Sequence, residues 1–102
     1  MFRMIILPEA KADIRNASIW YEKKQKGLGK RFIVIIRKCF LLLKTNPNAF
    51  QIRYDDIRTI ITPKFPFMIH FSINEISKKV IIISVLHTSR NPESWYDINS
   101  TN

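Results

Sequence analysis

Apolar positions along the chain change their period twice, and the changes mark out the elements. Phe2 to Leu7 is a short apolar run that reads as a strand. The period then becomes helical at Pro8, since proline suits the first helical position and Glu9 suits the positive end of the helix dipole. Ala10, Ile14, Ala17 and Tyr21 recur on one face, with Asp13, Arg15 and Lys24 turned outward and Trp20 at the edge of the stripe. Gly27 and Gly29, the only glycines, bracket Leu28 and break the helix. A second helix is expected from about Leu28 to Thr45, with Leu28, Phe32, Ile35, Ile36, Cys39, Leu42 and Leu43 on one stripe, and Asn46-Pro47 stops it. Together they predict an αα-hairpin with one apolar side.

After Pro47 the period falls to two. Phe50, Ile52 and Tyr54 alternate with Gln51, Arg53 and Asp55, the pattern of a half-buried strand. Asp55-Asp56 turns the chain into a strand from Ile57 to Thr62, which ends or bulges at Pro63 to Pro66. Phe67, Ile69, Phe71 and Ile73 then face one way, and Met68, His70 and Ser72 the other. Asn74 to Ser77 is a turn, and Val80 to Leu86 reads as a strand buried on both faces. The order is strand, helix, helix, then an antiparallel meander. It predicts an α+β fold in which the hairpin covers one face of a small sheet.

A length of 102 residues leaves room for one domain, 1–102, with a core large enough to need neither metal nor disulfide. No charge-free apolar run approaches the roughly 20 residues of a membrane span, and the lone Cys39 has no partner for an internal disulfide. A cytoplasmic protein that does not engage a membrane is expected. The net charge of +9 is unevenly spread. Residues 22–44 carry eight cations, Lys23, Lys24, Lys26, Lys30, Arg31, Arg37, Lys38 and Lys44, against Glu22 alone, a net of +7. Such a field attracts a polyanion or an acidic protein; its plainer reading is a solubilising surface.

The last strand delivers His87, Ser89 and Arg90 together at its carboxyl end, where Asn91-Pro92 turns the chain away. These are the candidate target-binding residues. Each also has a plain structural use. His87 would bond a loop carbonyl, and Arg90 would pair with Glu93 or Asp97. Trp95 would pack over the sheet edge, His70 would be exposed, and Cys39 would be an inert core thiol. No cofactor is expected, since there is no glycine-rich phosphate loop, no nucleophile elbow and no metal-ligand spacing among the two histidines and one cysteine.

Several local matches occur in a fixed order: Ala17 to Glu22 (ASIWYE), Gly27-Leu28-Gly29 with Phe32 after it, Asn46-Pro47, Phe65-Pro66-Phe67 leading into Ile69-His70-Phe71, and Val85-Leu86-His87 followed by Ser89-Arg90 and Trp95. In this order and over nearly the whole chain they resemble the RelE/ParE superfamily of toxins from type II toxin–antitoxin systems. That resemblance implies the same fold and a growth-inhibiting toxin.

The resemblance carries two chemistries, so whether the chain is an enzyme stays open. One branch cleaves messenger RNA in the ribosome, which needs cations beside the developing phosphorane charge and a group to move a proton. The nuclease candidates here are Arg58, Lys64, His87, Arg90 and Tyr96. The other branch, ParE proper, poisons DNA gyrase by binding. Its apolar penultimate strand and Val-Leu-His ending are similar to Phe67-Met68-Ile69 and Val85-Leu86-His87, so the ParE-like reading is preferred. A basic nucleic-acid-binding module without toxicity is the alternative from another class. The resemblance also implies an antitoxin encoded by an adjacent gene. The expected contacts for that acidic–apolar partner are Lys23, Lys24, Lys30, Arg31, Arg37 and Lys38.

Overall fold

A computed structural model describes residues 1–89. The chain runs β1 (Arg3–Ile6), α1 (Pro8–Lys24), α2 (Leu28–Thr45), one 3₁₀ turn (Pro47–Ala49), β2 (Ile52–Tyr54), β3 (Ile57–Ile61), β4 (Phe67–Asn74) and β5 (Lys79–His87). The sheet order is β1-β5-β4-β3-β2. Strands β2 to β5 form the expected antiparallel meander, and β1 lies parallel to β5, with Met4 opposite Val80 and Ile6 opposite Ile82. A parallel neighbour requires a long connection, which the helical hairpin and the first three strands of the meander supply. No helix among the described residues is long and apolar enough to cross a membrane.

The hairpin packs on one sheet face. From α2, Phe32, Ile36, Cys39 and Leu43 are buried against Ile69 and Phe71 of β4 and Val80, Ile82 and Val85 of β5. Tyr21, Phe32, Phe65 and Phe67 form an edge-to-face cluster with ring centroids 4.8 to 6.1 Å apart, locking the end of α1 and the start of α2 to the β3–β4 loop. Between the helices, Gly27 takes the left-handed conformation (φ 87°) and ends the break. Gly29 lies inside α2 instead of breaking it, because a Cβ there would collide with the Ser18 carbonyl oxygen. Glu22, the one carboxylate in the basic segment, receives the backbone N–H groups of Gly27 (2.8 Å) and Gly29 (3.0 Å) and so caps α2 from α1.

Several expected positions are revised. Asp13 does not point outward: its Oδ2 accepts a hydrogen bond from the Val85 backbone N–H at 2.9 Å. The reason is topological. Pairing of β1 with β5 stops at Ile6 and Ile82, so beyond that point β5 has an open edge and α1 supplies the missing acceptor. Leu42 and Ile52 are half exposed, because α2 turns Leu42 off the sheet and β2 is a short edge strand. The last strand is buried at Val80, Ile82 and Ser84 to Leu86, while Ile81 and Ile83 are only half-buried. The β4–β5 register slips between His70 and Phe71, leaving Ile83 as the extra residue of a bulge.

Candidate functional site

Three segments converge at the end of the sheet where β5 finishes. His87 is exposed there, and the backbone N–H of Ser89 donates to its Nδ1 at 3.0 Å. Nδ1 is the acceptor in that bond. The Ser89 hydroxyl lies 2.8 Å from the same nitrogen, so the bond is local where a loop carbonyl was expected. The ring stands edge-on to Phe67 at 5.3 Å. The Thr88 N–H reaches the Pro66 carbonyl at 2.7 Å, tying the strand end to the β3–β4 loop. Arg90 and Tyr96, with Glu93, Trp95 and Asp97, lie outside the described residues.

That loop carries Lys64 and is tightly determined. The buried Thr62 hydroxyl donates to the Phe65 carbonyl at 2.7 Å, and the Thr62 and Phe67 backbones bond across the loop at 2.9 Å. Lys64 is held in the left-handed region (φ 68°). It shares a shallow depression with Lys30, Arg31, Val34, Ile35 and Phe65. Lys64 therefore joins the α2 cations and lies at the same end as His87.

Arg58 does not join them. It sits on β3 opposite Phe71, whose β5 partner Ile82 lies five residues before His87, about 16 Å along the strand. Its guanidinium donates to the Phe50 carbonyl at 2.6 Å and so braces the segment after α2.

The six expected partner-binding cations, Lys23, Lys24, Lys30, Arg31, Arg37 and Lys38, are all exposed. Lys24 lies over the Trp20 ring at 4.8 Å from its centroid. Arg37 stands between two open apolar grooves on the hairpin. One, of about 570 Å³, runs between the helices past Ile19, Gly29, Ile33 and Val34; the other, of about 410 Å³, lies between α2 and β1 past Met4, Ile6, Phe40 and Leu41. Sequence patterning placed the cations but not these grooves, the first of which runs where Gly29 lets the helices approach closely.

The face of the sheet away from the helices holds a histidine that patterning read as exposed. His70 is fully buried, on the face shared with Thr59 and Ser84, and its Nδ1 lies 3.0 Å from the Tyr54 hydroxyl. Burial, with the nearby positive charge of Arg53, lowers its pKa to about 4 and keeps the ring neutral. Alternation put His70 on the correct face; what it could not supply is that Met68, Leu86 and Tyr54 make that face a second, smaller apolar cluster. The Cys39 thiol is buried and its pKa raised by burial, in keeping with a core role. Among the described residues, no three His, Cys, Asp or Glu side chains come together to hold a metal ion.

Residues 4–92 match the model of the ParE toxin of type II toxin–antitoxin systems. No curated protein sequence matches significantly. The fold is similar to that in the intact E. coli RelBE toxin–antitoxin complex, with a TM-score of 0.67 and 16% identity over 88% of this chain and 100% of the other. The chromosomal ParDE system of P. aeruginosa gives 0.64 at 16% identity, over 85% and 96% of the two chains. The isolated E. coli RelE toxin gives 0.67 at 14% identity over the whole of both chains.

Proposed function

The chain belongs to the ParE toxin family of type II toxin–antitoxin systems, and from that premise we propose that it arrests growth by binding and poisoning DNA gyrase. The observation that carries the choice is the centre of the sheet. In β4, Met68 and Ile69 are buried and Phe67 half-buried, so this strand supplies no cation at the positions where the RNA-cleaving branch is expected to carry one. Removing one preorganised donor to a developing oxyanion commonly costs about 100-fold or more in rate. Among the nuclease candidates, Arg58 supports the same reading, because it is committed to the Phe50 carbonyl far from His87. A poison that works by binding needs none of these. His87 and Arg90 would then contact the target.

The antitoxin is proposed to lay an apolar-faced, acidic helix along the hairpin. The grooves on either side of Arg37 offer apolar floor, and Lys30, Arg37, Lys38 and Lys44 offer opposite charge. Two of the solved relatives are toxin–antitoxin systems, RelBE and ParDE, which is consistent with such a partner.

The test in cells follows labelled thymidine and labelled methionine after induced expression of the toxin alone. Thymidine incorporation is expected to fall first, growth to stop, and co-expression of the adjacent small gene to restore it. His87→Ala and Arg90→Ala should relieve the arrest at unchanged protein level. Methionine incorporation falling first would move the target to the ribosome and reopen Lys64, His87, Arg90 and Tyr96 as catalytic candidates.

A further inference from the structure

From the convergence of Lys30, Arg31 and Lys64 on one apolar-floored depression, at the end of the sheet that bears His87, we propose a phosphodiester-binding site through which the toxin itself grips duplex DNA. The inference rests on the gyrase reading for its purpose: a poison of a DNA-cutting enzyme would dock on the enzyme–DNA complex and hold both members.

Three features of the molecule carry it. The depression is lined by three cations and no carboxylate, and Glu22, the one acid in the segment that supplies Lys30 and Arg31, is consumed in capping α2. Lys64 is held in a left-handed backbone that a lysine adopts only at a cost, inside a loop over-determined by the Thr62 bonds and the Phe65 ring. Strain of this kind persists where surrounding structure enforces it, and it is concentrated at sites of use. The determined turn fixes where the Lys64 side chain leaves the loop, at the depression. The cations also continue beyond the depression through Lys23, Lys24 and Lys26 at the α1–α2 turn, all exposed, giving a ridge that fits the repeating charge of a nucleic-acid backbone.

An acidic peptide is the competing occupant. The two larger grooves beside Arg37 suit it better, since they offer more apolar wall per cation. The end bearing Lys64 is denser in charge and smaller in apolar floor, which favours phosphate.

The experiment measures fluorescence anisotropy of a labelled 30-base-pair duplex of arbitrary sequence with the purified full chain across a salt series. The double variant Lys30→Gln/Lys64→Gln should bind about 10-fold more weakly, and its slope of log affinity against log salt should be shallower by about 2, one for each phosphate no longer neutralised. Lys78→Gln/Lys79→Gln, which removes equal charge at the opposite end of β5, should change little. Lys64→Gly separates structure from binding: it should melt no lower than the parent and still lose affinity. Equal losses from both double variants would mean only net charge is sensed, and would overturn the site. So would tighter, Lys30- and Lys64-dependent binding of a single-stranded RNA of the same length, or of a glutamate-rich peptide. The assay contains no gyrase. Intact Lys64-dependent DNA binding without gyrase poisoning would therefore strike the proposed target alone, and the reverse result would strike this site alone.

Discussion

Asp13 and His70 are the two residues whose positions most change what the sequence implies. Asp13 completes the β5 ladder where β1 has ended, and a hydrogen bond to a charged acceptor contributes about 1.5–3 kcal/mol. Asp13→Ala leaves the Val85 N–H without its carboxylate and should lower the free energy of unfolding in urea by about 2 kcal/mol; a loss within about 0.5 kcal/mol would mean that water or a neighbour replaces it. His70 makes stability depend on pH. An unfolded histidine takes up its proton near 6.5, whereas the folded one does so only near 4. Between those values the unfolded chain binds more protons, so stability rises with pH and falls as the solution is acidified from about 6.5 to 4. The full window is worth about 3 kcal/mol. Urea titrations at pH 7 and pH 4.5 should show the parent losing about 2 kcal/mol more than His70→Gln. Equal losses would contradict a neutral, buried ring. Neither residue was legible beforehand, because each is defined by a contact made far away in sequence, with Val85 for Asp13 and with Tyr54 for His70.

At the scale of elements, the helical hairpin is the part the chain declares most openly. A period of 3.6 from Pro8 and again from Leu28, with glycine between and proline after, placed the start of α1 and both ends of α2, whereas α1 ends at Lys24, three residues before the glycine expected to break it. Strand bounds were less sharp, since β2 shrinks to Ile52–Tyr54 at the sheet edge and the bulge at Ile83 interrupts simple alternation. What periodicity cannot carry is how two elements meet. Gly29 reads as a helix breaker until the Ser18 carbonyl is seen against it, and Glu22 reads as one charge among many until it caps α2. The hairpin holds to the sheet through Phe32, Ile36 and Leu43. Ile36→Asp should therefore unfold the protein, because an unpaired buried charge costs several kcal/mol against a total margin of about 5–15. Retention of a cooperative melt near the parent temperature would contradict this packing.

For the whole molecule, charge and apolar surface are segregated in a way that fits two partners. The hairpin combines grooves and cations between its helices and beside β1, while the end bearing His87 brings Lys64 of a rigid loop to Lys30 and Arg31 of α2. The concentration of positive charge between residues 22 and 44 was visible in the sequence; its meeting with Lys64 was not, because the aromatic cluster of Tyr21, Phe32 and Phe65 is what brings the loop to α2. The division between a binding toxin and a cleaving one depends on the cation-free start of β4 and the removal of Arg58 from the site. The most direct measurement incubates purified toxin with gyrase, ATP and supercoiled plasmid, and in parallel with translating ribosomes. Linearised plasmid that stays covalently attached to gyrase, with uncut messenger, is the expected result. Codon-specific cuts in ribosome-bound messenger that depend on Arg90 or Tyr96, with gyrase turning over normally, would contradict it.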